Sequence, residues 1–311
     1  MSQVDVTAVF DAVAVVVIRE GTLPSGADEA TAEAGGSVVL VGSGLESVDL
    51  ALLPSAASIV LAPSPWHDRV AAAAHAISTV RIVIVPSSPD GRDLAPRLAA
   101  KLQRPLFAGA VGVTQDWVQL SRVGGRLVEE HRLLEPSVVT LIPGLRGSTP
   151  LQGQPGVRTH TFAVGDSSGL AGNSVTTIEV LPADAATMDL TEARRIVAGG
   201  QGLASAEGFD QLGRVGALIE ASLGGTRVAS DAGWIPFERQ IGTTGVMVNP
   251  ALYLAFAISG ATQHVSGLGS PEHIISVNTD PSCPMMTMAN LAIVSDANAV
   301  LAELEAKLAG P

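Results

Sequence analysis

Two residues in the second half of the chain, Arg227 and His264, have side chains suited to a charged ligand. Arg227 follows a Gly-Gly-Thr turn in a region otherwise poor in cations, and His264 lies in the first turns of a predicted helix. A guanidinium binds anions, and an imidazole donates or accepts a proton. A lone arginine is as commonly a surface charge and a lone histidine a structural group, so both interpretations stay open here.

Small or polar residues follow each predicted strand of the same half. These strand ends carry Gly199, Ser259, Asn278 and Asp296. In an open parallel sheet the ligand crevice lies beyond the carboxyl ends of the strands, so these residues should line one edge. After Ser259, a helix N-terminus would offer free N–H groups, and the small Gly260 and Ala261 would leave room for a phosphate. The pattern predicts a dinucleotide, with Asn278 and Asp296 near its ribose or adenine.

Each of these polar residues also has an ordinary structural interpretation. Ser259 and Asp296 are typical helix N-caps, and Asn278 is typical of an Asx turn. Their occurrence on consecutive strands favours the binding site. In the first half, Gly42-Ser43-Gly44-Leu45 resembles a dinucleotide fingerprint but lacks the third glycine, and we interpret it as a tight strand-to-helix turn.

The elements that must position these residues are predicted from apolar periodicity. Strands are expected at Arg195–Ala198, Leu252–Ile258, Ile274–Val277 and Leu291–Val294. An amphipathic helix should bury Phe209, Leu212, Val215, Ile219 and Leu223, and a last helix should carry Val300, Leu304 and Leu308. Strands alternating with helices predict an α/β domain.

The first half shows a similar alternation. Short β-branched runs at Ala14–Ile18, Ser37–Val41, Ser58–Ala62 and Val80–Val85 are apolar on both faces, which predicts a parallel sheet covered by helices. A helix is predicted over Gly91–Leu102, a hairpin turn at Gly124-Gly125, and a loop or crossing segment from Gly144 to Gly169. The predicted domains are residues 1–183 and 184–311, the latter after a strand that ends at Leu181.

Composition narrows the possible functions. The 311 residues are 47% hydrophobic, with 30 acidic and 18 basic side chains and a net charge of −12. This field would repel nucleic acids and anionic membranes. The single cysteine excludes an internal disulfide, Asp5 and Asp11 argue against a signal peptide, and the apolar run Pro250–Ser259 is too short to span a bilayer. We expect a cytoplasmic protein that neither inserts into membranes nor binds nucleic acid.

A series of motifs resembles the α subunit family of electron transfer flavoproteins. From Asp189 onward the chain reads DLTEA, GGQGL, GGTRVASDAGW, QIGTTG, NPALYLAFAISGATQHVSGL and VNTDPSCP, in the order and spacing of that family. In the first half, Gly91–Leu102 resembles the family's GRDLLPRLA segment. The resemblance is specific over the second half and weaker over the first.

The resemblance implies a parallel-sheet α/β domain followed by a Rossmann-like, deoxyhypusine-synthase-like domain that binds FAD. It also implies a heterodimer with a β subunit. Such a protein accepts electrons from a flavin-dependent dehydrogenase on its FAD and passes them on, and it is a redox carrier rather than a catalyst. Because the flavin carries the electron, the protein contributes binding and electrostatics.

The resemblance also implies roles for individual residues. Arg227 would lie over the reactive edge of the isoalloxazine, Thr244 near its N5, and a donating His264 at its pyrimidine end. Gln263 and Ser259 would serve the ribityl and pyrophosphate region, and Asn278 and Asp296 the adenosine end. The full predicted set is Thr226, Arg227, Gln240, Gly242, Thr243, Thr244, Ser259, Gly260, Ala261, Gln263, His264, Asn278, Asp280 and Asp296.

The chain departs from the family pattern near the expected flavin. Thr243 stands where the family usually has Gln, Val246 and Thr279 where it has Lys, and Thr226 where it has Ser. Since a less positive pocket disfavours electron uptake, we expect a reduction potential below the family norm. A potentiometric value at or above that of typical members would contradict this.

Two other classes of protein stay open from the sequence. One is a flavin- or NAD-dependent enzyme on the same nucleotide-binding fold, although Lys307 in the last helix is a poor candidate base or nucleophile. The other is a scaffold subunit that has lost FAD. The segment Trp234-Ile235-Pro236-Phe237 fits either a partner surface or buried packing.

Overall fold

The computed structural model of the chain describes residues 11–64, 69–77, 79–123, 127–144, 148–153, 155–159 and 184–310. It divides into two compact units, residues 1–180 and 181–311. The predicted domain boundary between residues 183 and 184 lies at the edge of the described residues and stays a prediction. The turn at Gly124-Gly125 and the predicted strand that ends at Leu181 lie outside the described residues.

The first unit is built on a nine-stranded, largely parallel sheet with the order β7-β6-β5-β8-β4-β1-β2-β3-β9. Its strands are β1 Ala12–Ile18, β2 Ser37–Gly42, β3 Ser58–Pro63, β4 Ile82–Pro86, β5 Leu106–Val113, β6 Trp117–Arg122, β7 Leu127–Arg132, β8 Ser137–Leu141 and β9 Gly156–Thr159. Its helices are α1 Ala27–Glu33, α2 Arg69–Ala76 and α3 Pro89–Leu102. The four strands predicted from apolar runs are confirmed as β1 to β4.

Strand β9 corrects the predicted loop between Gly144 and Gly169. Residues 156–159 pair in parallel with β3, although all four are exposed. An edge strand that buries no side chain is held by backbone hydrogen bonds. Its sequence therefore has no apolar pattern from which the strand could be predicted. Helix α3 matches its prediction and begins two residues earlier, where the Ser88 hydroxyl accepts a bond from the Gly91 N–H at 3.1 Å.

The second unit has a five-stranded sheet with the order β11-β10-β12-β13-β14, parallel throughout. Its strands are β10 Arg195–Gly199, β11 Ser222–Gly225, β12 Leu252–Phe256, β13 His273–Asn278 and β14 Leu291–Val294. Its helices are α4 Ala206–Leu218, α5 Arg227–Asp231, α6 Thr262–Val265, α7 Pro284–Met288 and α8 Ala297–Leu308. The predicted α/β architecture is therefore observed in both units.

Strand β11 was missed by the sequence analysis, which placed Leu223 on the preceding helix. Helix α4 ends at Leu218, and Leu223 lies in β11 instead. The strand is only four residues long and half of it is glycine, so it lacks the β-branched run that marks a buried strand. Its position beside β10 brings the following residues, Thr226 and Arg227, to the same sheet edge as the other strand ends.

The core of the second unit follows the alternation of side chains along its strands. One face of the sheet packs Val197, Leu254 and Phe256 against α4 and α8. The opposite face packs Ile196, Tyr253 and Ala255 against the segments 241–248 and 283–286. Among the helices that the structure describes, none is long and apolar enough to cross a membrane.

Candidate functional site

The carboxyl ends of the parallel strands in the second unit open onto one edge of the sheet, which we call the rim. The rim is formed by the residues that follow β11, β10, β12, β13 and β14. Eight predicted site residues lie at the strand ends or within a few residues after them: Thr226, Arg227, Ser259, Gly260, Ala261, Asn278, Asp280 and Asp296. The structure thus brings together side chains from segments far apart in the sequence.

The remaining predicted residues lie on α6 and on residues 240–246, which we call the 240–246 loop. The Ile241 N–H donates to the Gly225 carbonyl at 2.9 Å, and the Thr243 N–H donates to the Gln263 carbonyl at 2.8 Å. The loop therefore connects the end of β11 to α6. Gln240, Gly242, Thr243 and Thr244 lie within it, and Gln263 and His264 lie on α6.

Within the 240–246 loop, a buried amide supports an exposed hydroxyl. Gln240 is 2% exposed, and its Nε2 donates to the Thr244 Oγ1 at 3.0 Å. Thr244 is exposed, and in the described part of the chain its hydroxyl proton has no acceptor. Because the Thr244 oxygen already accepts a bond, the proton is directed to an outside acceptor. The Thr244 hydroxyl is thus positioned to donate a hydrogen bond to a ligand.

Two glycines in the 240–246 loop allow its close packing. Gly242 has φ of +149°, a conformation that other residues rarely adopt. A Cβ on Gly245 would lie 2.2 Å from the Gln240 carbonyl oxygen. Any side chain at position 245 would therefore push the loop away from Gln240.

Thr226 occupies the position between β11 and α5. It is the N-cap of α5, yet its hydroxyl makes no capping bond. The Thr226 Oγ1 is buried and has no hydrogen-bond partner among the described residues. A threonine at this position ordinarily caps its helix, and a buried polar atom without a partner costs free energy. The orphaned hydroxyl is the observation in this region that points most directly to a ligand.

Arg227 follows Thr226 and extends into solvent. Its side chain is 70% exposed, and its Nε lies 3.2 Å from the Asp231 Oδ2 one helical turn away. An exposed pair of this kind contributes little to stability. The guanidinium therefore has freedom to reorient toward an anionic or electron-rich ligand at the rim.

The turn after β12 differs from the phosphate cradle predicted for it. Helix α6 spans only four residues, and its N-cap is Ala261 rather than Ser259. So short a helix has little dipole, so the anion site expected at its N-terminus is not supported by its geometry. Gly260 has φ of +84°, and a Cβ there would lie 2.5 Å from the Met285 backbone nitrogen. Packing against α7 already explains this glycine.

His264 is buried, and both of its ring nitrogens have partners. Its Nε2 lies 2.7 Å from the Tyr253 hydroxyl, and its Nδ1 lies 3.0 Å from the Ile241 carbonyl oxygen. Burial lowers the pKa of His264 to about 4, against a smaller opposing effect of the Ile241 bond. The ring has no N–H left for a ligand, unlike the donating histidine that the resemblance implies. Its inclusion in a cofactor site stays a prediction.

The residues expected at the adenosine end each have a local structural role. The Asn278 Nδ2 donates to the Ile258 carbonyl at 3.1 Å, and its Oδ1 accepts from the Asp280 N–H in an Asx turn. Hydrogen bonds from the Ser282 hydroxyl and N–H lower the pKa of Asp280. Asp296 is the N-cap of α8, accepting from the Ala299 N–H at 2.9 Å. The structural interpretations hold for Asn278 and Asp296, and adenosine binding stays a prediction.

Tyr253 was missed by the sequence analysis. It lies within the apolar run that predicts β12. Its signal was present, since it is the only tyrosine of the chain and precedes His264 by 11 residues. A fully buried tyrosine needs a partner for its hydroxyl, which should have directed attention to a nearby polar group.

The segment from Trp234 to Phe237 combines both interpretations that the sequence left open. Ile235 is buried, and the Trp234 ring packs 5.7 Å from the Phe209 ring between centroids. Phe237, by contrast, is 61% exposed. The first half of the segment packs against the core and the second half is exposed, with the Phe237 ring on the surface two residues before Arg239.

Parallel strands ending at a common rim, with polar and small residues in the loops that follow, define a nucleotide-binding α/β domain. Comparison with known proteins narrows that class. Residues 189–269 match the electron transfer flavoprotein FAD-binding domain, and residues 56–159 match the electron transfer flavoprotein domain.

Individual relatives extend over most of the chain. Protein FixB of Clostridium saccharobutylicum is 34% identical over 239 residues, covering 73% of this chain and 69% of the relative. The electron transfer flavoprotein subunit alpha of Bacillus subtilis is 30% identical over 283 residues, covering 83% and 82%. The mitochondrial subunit alpha of Oryza sativa subsp. indica is 32% identical over 250 residues, covering 78% and 69%.

The chain belongs to the electron transfer flavoprotein α subunit family. The family resemblance predicted from the motifs is thereby confirmed, together with FAD as the cofactor of the matched domain. The family's members are electron transfer flavoproteins, which carry electrons.

Proposed function

We propose that this chain holds FAD at the rim of the second unit and uses it to carry electrons. The observation that carries this proposal is the buried hydroxyl of Thr226, which has no hydrogen-bond partner among the described residues and lies next to the exposed Arg227 and near the loop that presents Thr244. Without a hydrogen-bond partner, such a buried hydroxyl destabilises the folded chain. Beside a bound ligand that supplies an acceptor or donor, it becomes a favourable contact.

The proposed residues are spread along the rim as a long nucleotide cofactor would require, and α6 itself does not supply the anion site expected for the pyrophosphate. The isoalloxazine ring would be held at the Thr226–Arg227 turn and the 240–246 loop, the ribityl and pyrophosphate groups along the turn after β12, and the adenosine near the ends of β13 and β14. The residues proposed for the isoalloxazine ring are Thr226, Arg227, Gln240, Gly242, Thr243 and Thr244. Those proposed for the ribityl and pyrophosphate groups are Ser259, Gly260, Ala261 and Gln263. Those proposed for the adenosine are Asn278, Asp280 and Asp296.

FAD supplies the electron-carrying ring, and the chain supplies its electrostatic surroundings. The positive charge of Arg227 favours the addition of an electron nearby. The Thr244 hydroxyl, held by Gln240, provides a donor of fixed position. His264 stays neutral and contributes by supporting the loop from within.

We further propose a carrier role rather than catalysis of a substrate's conversion. The proposed site offers hydrogen-bond donors, the carboxylates of Asp280 and Asp296 and the cation of Arg227, and the neighbouring His264 is buried with both ring nitrogens engaged. The proposed partners are an electron transfer flavoprotein β subunit, as a heterodimer, and a flavin-dependent dehydrogenase that donates electrons. The proposed location is the cytoplasm.

The direct test is the visible spectrum of this chain purified after co-expression with its β subunit. Bound flavin should give the absorbance of an oxidised isoalloxazine, which bleaches when a dehydrogenase and its substrate are added. A colourless pair that takes up no added FAD would overturn the proposal and favour a scaffold subunit. Turnover of a substrate by the pair alone would favour an enzyme instead.

Replacing Thr226 by valine should produce opposite changes in stability and binding. The FAD-free chain should become more stable by about 1 kcal/mol, because an unsatisfied buried hydroxyl is removed without loss of volume. The dissociation constant for FAD should rise roughly tenfold, since 1.4 kcal/mol corresponds to a factor of 10. Denaturant unfolding and fluorescence titration measure the two effects.

The matched control is Thr226→Ser, which keeps the hydroxyl and matches the family's usual residue. It should bind FAD within about threefold of the unaltered chain, a difference of less than 1 kcal/mol. If Thr226→Val destabilises the FAD-free chain and leaves FAD affinity unchanged, the hydroxyl does not face the cofactor.

Replacing Arg227 by alanine should lower the reduction potential more than it weakens FAD binding. A unit charge at 4 Å in a water-like medium contributes about 1 kcal/mol, which corresponds to about 40 mV for a one-electron step. Because Arg227 is exposed, this shift should shrink as ionic strength rises. Potentiometric titration at low and high salt measures it.

Asp231→Asn provides a matched comparison for Arg227. It removes the carboxylate that lies 3.2 Å from the Arg227 Nε, so the potential should move upward, in the opposite direction. Equal potentials for Arg227→Ala, Asp231→Asn and the unaltered complex would show that Arg227 does not act on the flavin.

A further inference from the structure

Tyr253 is buried in the middle of β12, and its hydroxyl contacts a group that belongs to the rim. The side chain is 0% exposed, and its Oη lies 2.7 Å from the His264 Nε2. Burial raises the pKa of Tyr253, so the phenol keeps its proton at neutral pH. This contact joins the central part of the sheet to α6.

The hydrogen bonds of His264 fix which nitrogen carries its proton. The Ile241 carbonyl can only accept, so the Nδ1 must donate to it. The Nε2 of the neutral ring is therefore the acceptor, and the Tyr253 hydroxyl is its donor. Within the described part of the chain, no charged side chain contributes to the pKa of His264, which is set by burial and the Ile241 bond.

The chain of contacts ends in the 240–246 loop. The peptide of Ile241 is held on both sides, by the Gly225 carbonyl at its N–H and by His264 at its carbonyl. The preceding residue is Gln240, whose amide supports the Thr244 hydroxyl at 3.0 Å. A shift of His264 would thus move the segment that positions Thr244.

We propose that Tyr253 is a positioning residue for the rim: through His264 and Ile241, its hydroxyl fixes the 240–246 loop and the direction in which Thr244 donates. The identity of the affected ligand as FAD rests on the proposed function. The hydrogen-bond relay itself does not, because it is formed by protein groups alone.

The test variant is Tyr253→Phe, which removes only the hydroxyl oxygen. Without its donor, the Nε2 of His264 is left unsatisfied in a buried place, and the protonated form of the ring becomes easier to reach. Hydrogen–deuterium exchange of a peptide covering residues 240–246 should rise at least threefold. The ¹⁵N signal of the His264 Nε2 should also move away from its hydrogen-bonded position in the full chain.

In the complex with the β subunit, Tyr253→Phe should also change the flavin. The dissociation constant for FAD should rise about fivefold to tenfold, by weakening the donor position of Thr244. The difference in reduction potential between the variant and the unaltered complex should widen as the pH falls from 7 to 5, as His264 gains charge in the variant. A purely structural defect would not produce that pH-dependent difference.

Phe256→Leu is the matched control, because Phe256 is a buried aromatic residue of the same strand that packs on the opposite face of the sheet. It should lower the melting temperature while leaving the exchange of residues 240–246, the His264 signal and the potential unchanged. If Phe256→Leu and Tyr253→Phe give the same changes, Tyr253 is only a packing residue and the inference is overturned.

The two proposals fail in different ways. Unchanged exchange and an unchanged His264 signal in Tyr253→Phe overturn the positioning role, whether or not FAD is present. A changed signal with normal FAD affinity and potential also overturns it, and leaves the proposed function standing. A complex without FAD overturns the proposed function, and the exchange measurement still decides whether Tyr253 fixes the loop.

Discussion

The second unit is expected to lose roughly 3 kcal/mol of stability as the pH falls from 6.5 to 4, because His264 stays neutral in the folded chain. Burial holds its folded pKa at about 4, below the unfolded value of 6.5. Between these two values the unfolded chain binds the extra proton, so stability rises with pH through this window. Well above pH 6.5 the ring is neutral in both states and the contribution is fully present.

Urea unfolding of the full chain at several pH values, followed by hydrogen–deuterium exchange of peptides from β12 and α6, measures this loss. His264→Asn does not titrate and retains a donor for the Ile241 carbonyl, so its stability should be flatter between pH 6.5 and pH 4. His273→Gln, at an exposed position of β13, should keep the slope of the unaltered chain. An identical slope in His264→Asn would show that another group causes the pH dependence.

Replacing Gly245 by alanine is expected to weaken FAD binding about 100-fold, equivalent to about 2.7 kcal/mol. The added Cβ would lie 2.2 Å from the Gln240 carbonyl oxygen, so the 240–246 loop must move. Because that loop carries Gln240, Thr243 and Thr244, its displacement disturbs several proposed contacts at once. The flavin content of the purified complex and a titration with FAD measure the effect.

Gly233→Ala is the control for the loss of a glycine. Gly233 has φ of +73°, and a Cβ there meets no atom within 4 Å in the part of the chain that the structure describes. The substitution should cost about 1 kcal/mol of stability from backbone strain alone and leave the affinity for FAD unchanged. If both alanine variants retain FAD equally, the close packing of the 240–246 loop does not govern binding.

The predicted strands are those whose sequence is a β-branched or apolar run, whether the strand is buried, as β1 is, or largely exposed, as β14 is. Strands β1 to β4 and β12 to β14 are β-branched or apolar runs, and each appears within two residues of its predicted limits. Strands β9 and β11 are short and consist largely of glycine or exposed residues. Their pairing is decided by neighbouring strands, and a single sequence does not reveal which partner a weak segment will meet.

The candidate site was predictable in its position and less so in its chemistry. Strand ends of a parallel sheet meet at one edge, so Ser259, Asn278 and Asp296 could be placed together from the sequence. The state of His264 could not, because it depends on Tyr253 and Ile241, which reach it through tertiary packing. The shortness of α6 was equally hidden, since the same residues would begin a longer helix.

The spread of the rim along the chain has a consequence for how the protein matures. Its loops follow five strands and extend from residue 200 to residue 296, so the edge is complete only after β14 has paired at the border of the sheet. A ligand that contacts the whole edge binds the finished sheet and not its precursors, and it stabilises that sheet by mass action. Cofactor binding would therefore distinguish fully folded chains from incompletely folded ones.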